Sequence, residues 1–166
     1  MLVPAILHKD FIEQEFKKFY YTDDMMFETG YLDNFVPDIA ENPDACTMQY
    51  AIINKEGKCI GYLAYTIDWY SSSAYNFGLF SFDRGNVIIG RDLFNEMEKL
   101  IHEYKLHRIE WKVISGNPVK RSYDKFCEKY HGRVLEMRDV FKDRHGNYRN
   151  SYTYEIINDE ENNNGK

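Results

Sequence analysis

A chain of 166 residues, 43% hydrophobic and 29% charged, can bury one core of its own and is too polar for a membrane-embedded class. Its net charge of −6 at pH 7 argues against nucleic acid as the main partner, because neutralising phosphates requires a basic face. Cys46, Cys59 and Cys127 lie far apart with no CxxC spacing, which fits free thiols in a reducing cytoplasm and excludes a disulfide framework or a zinc site. No apolar run approaches the length of a membrane span, and the first eleven residues are too short and too soon charged for a signal peptide. The 14 tyrosines and 11 phenylalanines either line a pocket or interface or serve as ordinary strand filler.

In chain order, Asp10 precedes an amphipathic run in which Ile12, Phe16, Phe19 and Tyr20 share a face. Asp10 and Glu13 have capping-box spacing, so a helix is predicted over residues 11–20. Thr22, Asp23 and Asp24 are placed to cap a short second helix through residues 25–27, with Gly30 as its stop. Residues 34–47, holding Pro37 and Pro43, read as loop. Residues 49–54 and 58–68 form two strands around Lys55-Glu56-Gly57, the strongest hairpin signal in the chain. A third strand follows over 74–82, with Tyr75, Phe77, Leu79 and Ser81 on one face and Asn76, Gly78, Phe80 and Phe82 on the other.

Asp83-Arg84-Gly85-Asn86 breaks that strand, and from Gly90 the period becomes helical: Leu93, Met97, Leu100, Ile101 and Tyr104 fall on one face. Residues 108–114 are the next strand. Strand, loop, helix and strand make a βαβ crossover, which pairs the two strands in parallel. The crossover also aims the helix's free N–H groups and its dipole at the loop, where they favour an anion such as a pyrophosphate. Asn117-Pro118 opens another helix, with Val119, Tyr123, Phe126, Cys127 and Tyr130 on its apolar side and His131-Gly132 as its stop. Strands are predicted over 133–141 and 148–157, and the polar tail 158–166 has nothing to bury and is expected to be disordered. The order defines one α+β domain over 1–157: a mixed, mostly antiparallel sheet flanked by helices, with one splayed central parallel pair whose gap suits an extended ligand.

From residue 50 to 157 the sequence resembles the GNAT superfamily of N-acetyltransferases. The likeness rests on the hairpin-strand-loop-helix order, on FDRGNVIIGRDLF in the acetyl-CoA loop position, and on GNPVKRSYDKFCEKYHGRV after the next strand. With Gly90 aligned on the family's second loop glycine, Ile88 stands at the first, Gly85 at the Gln/Arg position, and Arg84 is displaced by one. The resemblance implies transfer of an acetyl group from acetyl-CoA to a primary amine by direct attack in a ternary complex. It implies that the N–H groups of Val87, Ile88, Ile89, Gly90 and Arg91 hold the pyrophosphate. Arg84 and Arg91 flank that turn and either contact a phosphate or are simply solvated. An amide N–H near Leu79, Phe80 and Ser81 would polarise the thioester carbonyl. Asn117 would bind the pantetheine arm, or cap its helix and do nothing more. The family's spacing puts a tyrosine general acid seven residues after that asparagine. Asp124 stands there, so Tyr123, one earlier, is the candidate acid, an ordinary core tyrosine being the other reading.

For the base, Asp68, Asp83 and Glu110 are the strand-associated carboxylates; Asp83 is the candidate carried forward, although it also fits as a turn starter. Cys127 reads as a buried small hydrophobe. The five histidines show no metal spacing, and no metal is expected. The acids and aromatics at Tyr20, Tyr21, Asp23, Asp24, Phe27, Tyr31, Asp33, Tyr148, Tyr152 and Tyr154 either form a rim for an ammonium substrate or are surface and core residues. Small amines, antibiotics, peptide N-termini and lysine side chains all fit as acceptors. The alternative function is a GNAT-fold module that acts by binding CoA or a protein.

Overall fold

The computed structural model describes residues 1–19, 36–42, 44–143 and 145–158. The predicted second helix at 25–27, the acid-and-aromatic stretch at 20–33 and the tail beyond Asn158 lie outside the described residues. Asn158 itself is tied down: its N–H donates to His107 O at 2.8 Å and its Nδ2 to Ile101 O at 3.0 Å.

The chain builds β1 (Leu2–Pro4), a 3-10 turn (Ala5–His8), α1 (Lys9–Phe19), β2 (Thr47–Ile53), β3 (Cys59–Asp68), β4 (Ser73–Ser81), α2 (Val87–His102), β5 (Arg108–Ile114), α3 (Lys120–Lys129), β6 (Arg133–Lys142) and β7 (Tyr148–Ile157). One seven-stranded sheet runs in the order β1-β2-β3-β4-β5-β7-β6. Among the described residues only β4 and β5 pair in parallel. β1 is three residues long and too short to show a period; as an edge strand it tolerates Pro4. α1 begins two residues before the predicted start because the 3-10 turn runs directly into it. The β2–β3 hairpin closes on Gly57, whose φ of +79° is a left-handed conformation that glycine adopts without strain. Asn54 Oδ1 accepts from the N–H groups of Glu56 and Lys58 across the same turn.

The sheet is covered on both faces over its centre, while β6 at its edge is exposed along its whole length. On one face, Ile12 and Phe16 of α1 pack against Ala51, Tyr62, Ala64 and Phe80. On the other, Leu93, Met97 and Leu100 of α2 and Tyr123, Phe126 and Cys127 of α3 cover Leu63, Tyr65, Phe77, Trp111 and Tyr154. The strict alternation expected along β4 is interrupted. Ala64 pairs with Gly78 but Thr66 pairs with Tyr75, so Asn76 and Phe77 together face Tyr65 across a β-bulge. Asn76 takes a φ of +56°, which asparagine tolerates better than most residues. The extra residue puts Ala74 and Phe77 in the same core and turns Tyr75 to the other face.

Gly132 closes α3 against the sheet. A Cβ there would lie 2.5 Å from Glu155 O and 2.7 Å from Cys127 Sγ, and a backbone oxygen in a ladder cannot yield. Gly132→Ala should therefore cost about 1–3 kcal/mol, read as a lower denaturant midpoint at unchanged slope.

Candidate active site

β4 and β5 pair only over Ser73–Arg108 and Ala74–Ile109. Beyond those two steps β4 follows its ladder to β3 and β5 follows its ladder to β7, and the bulge at Asn76 and Phe77 adds twist where the two part. The strands diverge towards their C-terminal ends, and the loops there lead into α2 and α3. The gap encloses about 90 Å³ and is lined by Asn76, Phe77, Glu110, Trp111 and Lys112. Phe77 and Trp111 belong to the core under the helices. Alternation along β5 turns Glu110 and Lys112 to the opposite face.

The N–H groups along the β4 side of the gap follow from the ladder. Phe82 donates to Ile60 O at 2.9 Å, so alternation turns the Phe80 N–H to β3 as well, and the Leu79 and Ser81 N–H groups towards the gap. Of the three residues expected around the thioester, Phe80 thus spends its N–H on the sheet and its ring on the core beneath α1.

α2 starts at Val87, three residues before the predicted start. Asn86 caps it: its side chain accepts from Ile88 N–H at 3.0 Å, and its backbone O accepts from Ile89 N–H at 3.2 Å. Asp83 holds the cap in turn, its Oδ2 accepting from Asn86 Nδ2 at 2.8 Å. Gly90 and Arg91 already lie inside the helical ladder. The five residues Val87 to Arg91 therefore form one helical turn whose outermost N–H is that of Val87, 82% exposed, while Ile88 leans on the core and Ile89 is buried in it. Arg84 and Arg91 are exposed on either side of this turn; Arg91 pairs with Asp92 at 3.0 Å.

Asn117 sits two residues before Val119, the N-cap of α3. Its Oδ1 accepts from Val119 N–H at 3.1 Å and its O from Lys120 N–H at 3.1 Å, and α3 itself starts at Lys120. Tyr123 is buried, its ring edge-on to Trp111 at 6.1 Å, to Phe94 at 6.1 Å and to Tyr154 at 5.8 Å, one ring removed from the gap. Asp124, at the position where the family's spacing expects the acid, accepts from Tyr154 Oη at 2.7 Å and from Lys120 Nζ at 3.0 Å. Burial pushes the Asp124 carboxyl up, and these two donors more than offset it and hold it below the usual range.

The three candidate bases separate by place. Asp68 folds the β3–β4 turn, accepting from Tyr70 N–H at 2.9 Å and from Ser71 Oγ at 2.7 Å. Asp83 braces the α2 cap. Glu110 lines the gap, with Arg108 bonded to it and Lys112 Nζ at 3.9 Å. Cys127 is buried, and burial pushes its thiol up, which suits a packing role. Among the described residues no group of three or more His, Cys, Asp or Glu side chains is placed to hold a metal ion, and no helix is long and apolar enough to cross a membrane.

Behind Glu110, on the same face, Glu155 of β7 is clamped by Arg108 Nε at 2.9 Å and Arg133 Nε at 2.6 Å. Burial alone pushes this carboxyl up; the two guanidinium groups outweigh burial and hold it below the usual carboxylate range. A depressed pKa stabilises the fold above the unfolded value and is lost as pH falls through the folded one. Stability should hold near neutral pH and decline on acidification below the ordinary carboxylate range. Glu155→Gln should remove about 1–2 kcal/mol at neutral pH and flatten that acid limb in denaturation series, the figure being modest because Arg133 is largely exposed.

Neither Trp111 nor the bulge at Asn76 belongs to a motif in the sequence. The only local signal for the bulge is Asn76-Phe77-Gly78 inside an otherwise apolar strand, a residue tolerant of positive φ beside a glycine.

No family model and no curated sequence matches the chain. Solved structures do. The spermidine/spermine N-acetyltransferase SpeG from Vibrio cholerae, in complex with manganese ions, superposes with a TM-score of 0.55 at 17% identity, over 74% of this chain and 72% of that one. A ribosomal-protein-S5-alanine acetyltransferase from Vibrio fischeri gives a TM-score of 0.51 at 20% identity, over 69% of this chain and 63% of that one. A protein described as a probable acetyltransferase gives 0.52 at 16% identity, over 69% and 63%. The class is thereby defined at the level of architecture: the seven-stranded mixed sheet with its parted parallel pair is the GNAT fold.

Proposed function

We propose that this chain transfers an acetyl group from acetyl-CoA to a primary amine by direct attack in a ternary complex. The observation that carries the reading is the parting of β4 from β5 after a two-residue ladder, with both following helices starting from the open end. A thin arm bearing amide and thioester carbonyls fits between two such strand edges, whose backbone donors and acceptors need partners. In the reaction the amine nitrogen attacks the thioester carbon, the C–N bond forms and the C–S bond breaks. The nitrogen's proton goes to a base and the leaving thiolate takes a proton from an acid. Glu110 is the base this reading favours, because it alone of the three candidates lines the gap. Tyr123 remains the proposed acid, and the N–H groups of Leu79 and Ser81 the proposed donors to the oxyanion. The pyrophosphate is assigned to the first turn of α2, beside Val87 and Gly90 and between Arg84 and Arg91.

Gly90 supplies a prediction. A Cβ there would meet nothing within 4 Å, so Gly90→Ala fits the protein itself. Helix propensity then favours the variant by about 0.5–1 kcal/mol. Thermal unfolding should show that gain, while calorimetry should show weaker acetyl-CoA binding if phosphate approaches the backbone at this residue.

The names of the similar structures make polyamines and alanine-terminated peptides the first acceptors to screen. A net charge of −6 favours the cationic ones. The experiment is calorimetric titration with acetyl-CoA, CoA and desulfo-CoA, followed by an amine screen for thiol release. Saturable one-to-one binding supports the reading; a folded protein that takes up no coenzyme at high micromolar concentration overturns it. One observation favours the alternative, a GNAT-fold binding module: the Ile88 N–H at the phosphate turn is already engaged by Asn86. Binding of CoA with no thiol release from any amine would select that alternative.

A further inference from the structure

Trp111 is 2% exposed, and its indole Nε1 is one of three buried side-chain polar atoms with no hydrogen-bond partner among the described residues. The ring has little freedom to seek one. It is stacked on Tyr154 at 5.2 Å with an interplanar angle of 6°, and meets Tyr123 and Phe126 edge-on at 6.1 and 5.9 Å. A buried donor without an acceptor is costly and uncommon, and each instance asks for an explanation. A phenylalanine would fill this aromatic cluster without that cost. Trp111 also lines the gap between β4 and β5, two residues beyond the last paired step at Ala74 and Ile109.

We propose that the Trp111 indole N–H is a ligand-binding donor, held at the gap for a carbonyl oxygen of the acyl donor. The proposal rests on the reading of the gap as the acetyl-CoA site and adds to it a side-chain contact. An indole N–H donates and never accepts, so it needs an acceptor such as a carbonyl oxygen and rejects an ammonium, which has only hydrogens to offer. Two carbonyl sources fit this chemistry, an amide of the pantetheine arm and the thioester itself.

The test uses the intact protein and its two tryptophans. In a ¹H–¹⁵N correlation spectrum each gives one indole signal. Trp69 is half exposed and donates to Ala45 O at 2.7 Å, so Trp69→Phe assigns both signals without touching the gap. On titration with acetyl-CoA the Trp111 indole proton should move downfield as it gains an acceptor, and the Trp69 signal should stay in place. The same movement with CoA identifies an amide as the partner; movement with acetyl-CoA alone identifies the thioester. Trp111→Phe should lower coenzyme affinity about fivefold, the value of one neutral hydrogen bond. If acetyl-CoA binds saturably and the Trp111 signal neither shifts downfield nor broadens, the proposal is overturned while the acetyl-CoA site stands. If no coenzyme binds at all, both fall.

Discussion

Replacing Glu110 with glutamine should cut acetyl transfer by about 10²- to 10⁴-fold, the usual contribution of a positioned general base, and leave acetyl-CoA affinity nearly unchanged. The argument is one of position. In the proposed reaction an amine at neutral pH carries a proton that must leave before its lone pair can attack, which calls for a base, a carboxylate or a water chain, beside the acyl donor. Glu110 lines the gap, and its neighbours Arg108 and Lys112 keep it in place without closing it off. Asp68 and Asp83 are committed to turns, the first at the β3–β4 corner and the second under the cap of α2. Asp83→Asn should therefore loosen the first turn of α2 and act on coenzyme affinity more than on turnover. The measurement is thiol release with the best amine from the screen, taken to saturation so that kcat and KM separate. A large loss of kcat in Asp83→Asn with Glu110→Gln unaffected would return the base role to Asp83.

Trp111→Ala should cost about 3–5 kcal/mol of stability, a fifth or more of the roughly 5–15 kcal/mol that a domain commonly possesses. The ring is the hub of the cluster that joins β5, β7 and α3, touching Tyr154, Tyr123 and Phe126 together. Its removal leaves a cavity that β5, held here by its ladder to β7, cannot easily collapse to fill. Trp111→Phe should cost much less. It loses part of the packing but also deletes a buried unpartnered donor, whose penalty of about 1–3 kcal/mol is then relieved. Denaturant midpoints of the three proteins decide this directly. A loss below about 1 kcal/mol in Trp111→Ala would mean that the aromatic cluster does not hold β7 and α3 together.

Much of the architecture is local and therefore legible before folding is considered. The predicted strands over 108–114 and 148–157 coincide with β5 and β7, and the hairpin lies within two residues of β2 and β3, because half-buried strands alternate and turns need Gly57 and Asn54. The crossover from β4 through α2 to β5 is likewise legible, since a helix between two strands demands parallel neighbours. The start of α2 was harder to read. The helical period reads only from Gly90, yet the buried stripe reaches back to Ile89 and the cap is Asn86, whose side chain accepts from the Ile88 N–H. Residue type and spacing thus determine the elements, their order and the pairing of the central strands. Only the tertiary structure decides how soon those strands part, that a bulge at Asn76 turns Tyr75 away from Phe77, and that Glu110 rather than Asp83 borders the gap. It alone leaves the Trp111 N–H without an acceptor. The physical reason is that alternation along a strand fixes which way a side chain points, whereas what it meets there is set by residues 12 to 43 positions away, on α3 and β7.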